Sequence, residues 1–343
     1  MVRHQPTRLE RKRLGTAYRR RLTVGLQLVY EFLFSRDPNL LEDLREDRVN
    51  FLTLDQLLAE FVNQCHDAGT AFWLVKHRVL GLQTEFRYVR FKLPRTWDSI
   101  SSWNSERLRR SRTPIDENCI LFMSFVALSW AFEEPKLAHL LFPFSVLIRL
   151  AFYGLLRPGE MLQLRTKDTH VANEEDRPQL AILAIQTPKT RRFAGRQQFV
   201  VIKDVYVIAW LRWLTHGLPP SLILWPSSSN MFRTIFIKII ERCGLQGHKF
   251  SPAGFRAGGC IHFVVRGWDL SRVQFLGRWK SHCSMVSYVQ EAVASLVWVQ
   301  LDVRTRLVIR QTLATASSIA KLPPSLPWAV FFSRRAHWRS VRT

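Results

Sequence analysis

The sequence predicts a mainly α-helical protein with a small antiparallel β-sheet, divided into two domains. Most of the 343 residues lie in stretches whose apolar side chains recur every three or four positions, the period of an amphipathic helix. Two short, mostly apolar stretches, 179–186 and 196–202, are predicted strands on either side of the basic loop TPKTRRFAG. A chain of this length more often forms two domains than one.

The first part of the chain combines a basic arm with a helical domain. Residues 1–15 are the arm, which fits a nuclear import signal, a phosphate-binding tail or a solvated terminus equally well. Residues 16–92 carry helical patterns throughout and are predicted to form a small all-helical domain. Within it, Thr53 followed by Gln56 has the spacing of a helix-capping box.

A polar, arginine-rich stretch separates this domain from the next. Residues 93–116 lack the apolar period and contain two prolines, so they are predicted to be a basic linker. Residues 117–300 form the second domain, which opens with two apolar helices at about 118–133 and 136–156. The remainder, 301–343, is a basic tail that either packs on a neighbouring subunit or is loose.

The charge of the chain indicates a polyanionic partner. Its formal net charge is +23 and its pI about 10.8, while 47% hydrophobic residues exclude wholesale disorder. The charge is clustered, since residues 1–22 contain eight Lys or Arg and only Glu10 as an acid. Nucleic acid is the expected partner, and an anionic membrane surface is the weaker alternative.

The cysteines and the apolar runs indicate a reducing compartment and no membrane span. The five cysteines are odd in number and lack a CxxC pair, which argues against disulfides and against a zinc site. The N-terminus is polar and basic, unlike a signal peptide. The longest apolar run, 137–156, contains His139, Pro143 and Arg149, and therefore predicts a buried helix.

The stretch 251–291 carries the most specific pattern in the chain. Ser251 is a predicted N-cap, which places Arg256 in the second turn of a helix. A shorter apolar stretch follows and ends in Gly-Arg-Trp. Ser281 is then predicted to cap a third short helix that carries Tyr288.

The order and spacing of three residues in this stretch resemble the active site of a known family. Arg256 precedes Trp279 by 23 residues, and Trp279 precedes Tyr288 by 9, as in the C-terminal half of the tyrosine recombinase (phage integrase) site. The motif SPAGFRAGG…GRW…Y looks most like the corresponding motif of the recombinases of DIRS-type and Crypton-type mobile elements. The resemblance covers residues 140–292 well and the N-terminal domain loosely. It implies a core-binding domain and a catalytic domain that clamp double-stranded DNA.

The resemblance assigns catalytic roles to five residues. Arg157, in FYGLLRPGEMLQL, and Arg256 would hold the phosphate, and Trp279 would donate a hydrogen bond to it and pack the site. Lys189, in the loop between the strands, would protonate the departing 5′ oxygen. Tyr288 would be the nucleophile that forms a 3′-phosphotyrosyl bond.

Each of these assignments has a plainer alternative. The arginine at 157 could complement a helix C-terminus, although Pro158 predicts that it lies at a junction and Glu160 could orient its guanidinium. The lysine could be solvated, and the tryptophan and tyrosine could belong to the core. Glycines around Arg256 fit either close approach of DNA or close helix packing. They are Gly254, Gly258 and Gly259.

Further arginines and the family likeness define the expected partners. Arginines predicted to bind the DNA backbone are Arg109, Arg110, Arg112, Arg191, Arg192 and Arg196. The resemblance implies no metal, ATP or other cofactor, and self-association on DNA as a dimer or tetramer. If the source is eukaryotic, the expected location is the nucleus.

One departure from the family pattern leaves the activity open. Ala253 stands where the family carries a His three residues before the second arginine, and it can neither accept nor donate a proton. His248 and His262 are not ready substitutes by position. The chain is therefore a slow enzyme, an enzyme with another proton acceptor, or a catalytically inactive DNA-binding remnant. A type IB topoisomerase is a third possibility, disfavoured because its larger domains are missing from this sequence.

Overall fold

The computed structural model divides the chain into two compact units, residues 1–110 and 111–343. The residues it describes are 15–107, 113–173, 175, 179–186, 188, 197–286, 289, 298 and 300–315. The predicted fold class is confirmed, because helices dominate the described residues and three short strands form one antiparallel sheet.

The first unit is built from helices around one apolar core. The α-helices are α1 (Thr16–Val24), α2 (Leu26–Arg36), α3 (Leu40–Glu46), α4 (Phe51–Asp67), α5 (Phe72–Glu85) and α6 (Pro94–Glu106). A short 3₁₀ helix, Arg87–Val89, lies between α5 and α6. Helix α4 contributes the largest share of the core, because its apolar residues recur at helical spacing and face the other helices.

The start of α4 differs from the sequence prediction. Asn50 is its N-cap, and the Asn50 side chain accepts hydrogen bonds from the backbone N–H groups of Leu52 and Thr53. The predicted capping box of Thr53 and Gln56 is therefore wrong, since both residues lie inside the helix. Asn caps helices as well as Thr does, so an Asn three residues upstream takes over the role.

The segment predicted as a linker also differs, because its first half is helix α6. Pro94 occupies the first turn of α6, where its missing N–H has no cost. The buried carboxylate of Asp55, on α4, accepts hydrogen bonds at 2.9 Å from the backbone N–H groups of both Arg95 and Thr96. These bonds fix the start of α6 onto α4, although α6 itself is mostly polar.

The second unit contains the remaining elements. They are α7 (Glu117–Glu133), α8 (Ala138–Tyr153), α9 (Pro158–Met161), β1 (Thr169–Val171), β2 (Ala181–Ile185), β3 (Gln198–Ile202), α10 (Val205–Thr215), α11 (Ser229–Arg242), α12 (Gly254–Val265), α13 (Leu270–Gly277), α14 (His282–Val286) and α15 (Val303–Thr315). Both apolar helices predicted at the start of this domain are present as α7 and α8.

Helix α8 is the centre of the second unit. Nearly every residue from Ala138 to Phe152 is buried, as expected for a helix that is apolar on all sides. Helices α7, α10 and α12 pack around it. None of the helices in the described ranges combines the length and apolar character needed to cross a bilayer.

The sheet has the order β1-β2-β3, and both pairs are antiparallel. Leu183 of β2 faces Val200 of β3 in the register, and Thr169 of β1 on its other side. The two predicted strands are confirmed with shorter bounds. Strand β1 was not predicted, since three residues are too few for an alternating pattern to be read.

Helix α12 begins two residues later than the sequence predicts. Its N-cap is Ala253, and Ser251 lies in the turn before it, so Arg256 is in the first turn of the helix. The glycines of α12 are explained by close packing inside the second unit. A Cβ at Gly258 would lie 1.8 Å from the carbonyl oxygen of Ile115, and one at Gly259 would lie 2.1 Å from that of Phe152.

Part of the predicted tail belongs to the second unit. Helix α15 packs on α7, and Ile309 is fully buried there. Helix α15, a part of the predicted tail, therefore packs on its own chain rather than lying loose.

The packing of α12 predicts the effect of a single methyl group. Gly258→Ala should destabilise the protein by about 1–3 kcal/mol, because a main-chain carbonyl cannot move aside as a side chain can. Gly247→Ala is the matched control, since nothing lies within 4 Å of its Cβ, and it should change stability by less than about 0.5 kcal/mol. Chemical denaturation measures both. Equal effects of the two changes would contradict the close contact of α12 with Ile115.

Candidate functional site

Arg157 lies at a junction between two helices, as Pro158 predicts. Its backbone is extended, with φ −74° and ψ 148°, and it is the N-cap residue of the short helix α9. Glu160, one turn later, binds Arg157 twice. Its carboxylate accepts one hydrogen bond from the Arg157 backbone N–H at 2.9 Å and another from Nη1 at 2.6 Å. The Arg157 side chain keeps 23% of its surface exposed, so a solute can reach it.

The turn that precedes Arg157 presents a carbonyl group to a second arginine. Helix α8 ends at Tyr153, and Leu155 then adopts a left-handed conformation with φ 48°. The carbonyl oxygen of Leu155 accepts a hydrogen bond from Arg256 Nη1 at 2.7 Å. Arg256 is 2% exposed, and its Nη2 donates to the carbonyl of Gly277 at the end of α13. Residues 101 positions apart in sequence are therefore in direct contact.

Trp279 covers the guanidinium of Arg256. The Arg256 Cζ lies 4.1 Å from the centroid of the Trp279 ring, a cation–π contact. Gly277 makes room for that ring, because a Cβ at Gly277 would lie 1.5 Å from a Trp279 ring atom. The glycine of Gly-Arg-Trp is thus required by the tryptophan two residues later.

Arg278 is a residue of this site that sequence reasoning missed. Its side chain is 6% exposed, and its Nη2 donates to Glu160 Oε2 at 2.7 Å and to the Leu155 carbonyl at 3.3 Å. It therefore joins the carboxylate that holds Arg157 to the carbonyl that holds Arg256. Its backbone is left-handed, with φ 56°, where Gly is the usual residue after a helix. No signal in the sequence marks it, because neither its backbone conformation nor its contact with Glu160 can be read from the neighbouring residues.

Among the described residues, this cluster contains three arginines and one carboxylate. Burial acts to raise the pKa of Glu160, but the Arg278 guanidinium and the Arg157 backbone N–H and guanidinium outweigh it, so this pKa lies below its ordinary value. Burial lowers the pKa of Arg278, and Glu160 opposes that shift. The guanidinium groups of Arg157 and Arg278 thus share the Glu160 carboxylate. Arg256 and Arg278 share the Leu155 carbonyl. Such an arrangement favours a bound anion.

A cavity of about 890 Å³ opens beside the cluster. Strand β3 and helices α12 and α13 line it, and Trp279 forms part of its wall. The described side chains that line it combine aromatic and aliphatic groups with several cations and a single carboxylate, that of Asp204. The cations are Lys203, Arg266, Arg272, Arg278 and Lys280.

His262 belongs to a separate network on another wall of this cavity. Its Nδ1 lies 3.4 Å from Glu117 Oε2, and Glu117 also accepts a hydrogen bond from the Tyr153 hydroxyl at 2.6 Å. Arg266 approaches the same carboxylate at 3.3 Å. Burial lowers the pKa of His262 from its ordinary value. These contacts tie α7, α8 and α12 together, which gives His262 a structural role.

Ala253 lies directly before the first turn of α12. It is the N-cap residue of that helix, three positions before Arg256. His248 precedes it by five residues, in a 3₁₀ helix, where its ring stacks on Phe250. Within the described ranges, no group of three His, Cys, Asp or Glu side chains could hold a metal ion.

Several predicted site residues lie outside the described residues. They are Lys189, Tyr288, Arg109, Arg110, Arg112, Arg191, Arg192 and Arg196. Helix α14 begins directly after Ser281, as predicted, and its last described residue is two positions before Tyr288. The structure thus brings together Arg157, Glu160, Arg256 and Trp279, and it adds Arg278.

Comparisons with known proteins identify the fold. The sequence matches no protein-family model and no curated protein. Among solved structures, the XerH site-specific recombinase bound to palindromic difH substrate, a post-cleavage complex, superposes with a TM-score of 0.51 at 18% identity, covering 80% of this chain and 73% of that chain. The Tn1549 transposon integrase with transposon right end DNA has a TM-score of 0.48 at 12% identity, covering 87% and 99%. The likeness to XerH shows that this chain shares the fold of that recombinase.

The buried carboxylate predicts a large change in stability. Glu160→Gln keeps the shape of the side chain but leaves Arg278 buried without its partner charge, and should destabilise the protein by about 3–5 kcal/mol. Glu133→Gln is the matched control, because that carboxylate pairs with Arg242 at the surface and should contribute less than about 1 kcal/mol. Urea denaturation measures both.

The same pair predicts a pH dependence with a defined sign. Because the folded pKa of Glu160 lies below its ordinary value of 4.5, its contribution is fully present above that value. The contribution is lost as the pH falls further, through the folded pKa. The difference in stability between the wild type and Glu160→Gln should therefore be constant near pH 7 and shrink below pH 4.5. A difference that grows on acidification would contradict the ion pair.

Proposed function

We propose that this chain cleaves and rejoins DNA strands through a 3′-phosphotyrosyl intermediate, as a site-specific recombinase or integrase. One observation carries the proposal. Arg157, Arg256 and Trp279, chosen by their order and spacing, lie in one contiguous cluster with Glu160 and Arg278, which among the described residues holds three guanidinium groups and one carboxylate. The fold shared with XerH, which was solved with its DNA substrate, supports the same activity.

The proposed chemistry uses residues of this chain alone. Arg157 and Arg256 hydrogen-bond the non-bridging oxygens of the scissile phosphate and stabilise the charge that builds there. The Tyr288 oxygen attacks phosphorus, its proton passes to an acceptor, and the bond to the 5′ oxygen breaks. Lys189 donates a proton to that leaving oxygen. Rejoining reverses these steps, when a 5′ hydroxyl attacks the phosphotyrosyl bond.

The proposal extends to partners and origin. Duplex DNA is the substrate, and two or four copies of the chain assemble on it. The arginines of the linker and of the loop between β2 and β3 bind its phosphates, so affinity falls as salt rises. The motif that contains Arg256, Trp279 and Tyr288 supports an origin in a DIRS-type or Crypton-type mobile element. The chain would then act in the nucleus of a eukaryotic host.

A second candidate function is a DNA-binding remnant without catalysis. Ala253 favours it, because the residue at this position cannot accept the tyrosine proton, and a missing general base costs about 10² to 10⁴ in rate. His262 is held by Glu117 and does not replace it. A remnant would keep the cationic cluster and bind DNA without forming covalent adducts.

Removing one hydroxyl group separates the two candidates. Tyr288→Phe should abolish covalent adducts with nicked, randomised suicide substrates, while affinity for the same DNA stays nearly unchanged. Tyr206→Phe, a change at a partly exposed tyrosine of α10, should leave adduct formation intact. Protease-resistant DNA adducts on denaturing gels are the measurement. If the wild type forms no adduct under any condition, the chain is the remnant.

Placing a base at position 253 tests whether cleavage is slow because the histidine of the family pattern is missing there. Ala253→His should raise cleavage at pH 7 by on the order of 10²-fold, because a histidine at a helix N-terminus stays neutral and can accept the tyrosine proton. Wild-type cleavage should instead increase with pH, since a phenol ordinarily has a pKa near 10. Ala253→Gln, which adds bulk without a base, is the control. An inert Ala253→His beside an active wild type would show that another group accepts the proton.

A further inference from the structure

The connection between α5 and α6 carries a phenylalanine in an unfavourable conformation. Phe91 has a φ of 71°, a region that bulky side chains rarely occupy, and its side chain is 84% exposed. The ring therefore gains little from burial in return for the backbone strain. Gly or Asn would be more stable at this position in the isolated protein.

The turn is held rigidly on both sides. Val89, at the end of the 3₁₀ helix, and Leu93, before α6, are both buried in the core of the first unit. The Lys92 backbone N–H donates to the Val89 carbonyl at 3.1 Å and closes the turn between them. Because both anchors are fixed, residues 90–92 form a tip that projects outward with the phenylalanine at its centre.

Phe91 has a cation before and after it in the sequence, and one of these two cations contacts its ring. The Arg90 guanidinium lies 4.9 Å from the centroid of the Phe91 ring, and the Lys92 ammonium lies 5.8 Å from the ring of Phe51. In the described part of the chain, neither Arg90 nor Lys92 forms an ion pair. The sequence from 86 to 97 contains four cations and no carboxylate. An exposed aromatic ring whose two sequence neighbours are cations is complementary to a polyanion that has stacked bases.

We propose that residues 90–92 are a DNA contact in which the Phe91 ring inserts between base pairs while Arg90 and Lys92 bind the neighbouring phosphates. The proposal rests on the proposed function, because it takes duplex DNA as the partner. Apolar side chains inserted between base steps unstack them and kink the duplex. The strained backbone holds the ring outward before DNA is bound, so no further conformational free energy is needed to present it.

The experiment compares binding and bending of one random-sequence duplex labelled at both ends for energy transfer. Phe91→Gly should weaken affinity on the order of tenfold, as when one stacked aromatic contact is lost. It should leave the salt dependence unchanged and remove the bend. Phe91→Trp should keep both affinity and bend. The double change Arg90→Gln with Lys92→Gln should reduce the salt slope by about two, because two phosphate contacts are lost.

Two controls keep the result interpretable. Phe34→Ser removes another exposed ring of the first unit, 56% exposed on α2, and should change neither affinity nor bend. Phe91→Gly should raise the melting temperature of the free protein by about 2–4 °C, because strain is relieved, which shows that the variant is folded.

The outcomes separate this proposal from the proposed function. If Phe91→Gly binds and bends the duplex as the wild type does, the proposed insertion of the Phe91 ring is wrong, while the recombinase proposal stands. If Phe91→Gly instead weakens self-association in sedimentation and leaves DNA affinity unchanged, the tip is a contact between copies of the chain. If the wild type does not bind the duplex, the proposed function is wrong, and the proposed insertion of the Phe91 ring is wrong as well.

Discussion

The candidate site depends on one buried carboxylate. Glu160 binds the backbone and side chain of Arg157 on one side and the side chain of Arg278 on the other. Arg278 in turn shares the Leu155 carbonyl with Arg256. Removing the carboxylate would leave like charges facing each other in a desolvated place, which is unfavourable. This contact between α9 and the end of α13 is what brings the two arginines chosen from the sequence into one cluster.

Backbone strain accompanies this cluster. Leu155 and Arg278 both adopt left-handed conformations that favour glycine, and the two residues are hydrogen-bonded to each other. Strained residues of this kind persist where the contacts around them hold them in place, and they are common at functional sites. Phe91, in the other unit, is a third such residue, but nothing buries its ring. The buried pair orders a site within the protein, whereas the exposed residue presents a surface to a partner.

The sequence predicted what depends on local pattern and missed what depends on distant contacts. Helices α7 and α8 follow from their apolar residues, and the extended backbone of Arg157 follows from Pro158. Helix α6 was read as a linker because its stability comes from Asp55, 40 positions earlier in the chain. Arg278 was passed over because only its contact with Glu160, 118 positions away, buries it. A single sequence does not show such pairings, since either partner alone looks like an ordinary surface charge.

The most direct test of the cluster is a structure of the Tyr288→Phe protein bound to a DNA duplex. The account predicts a phosphate within hydrogen-bond distance of both Arg157 and Arg256, with Trp279 beside it and the pairing of Glu160 with Arg157 and Arg278 retained. The charge of two guanidinium groups on one carboxylate would then be balanced by the phosphate. A bound duplex whose nearest phosphate lies away from both arginines, with Arg256 still held by the Leu155 and Gly277 carbonyls, would contradict it.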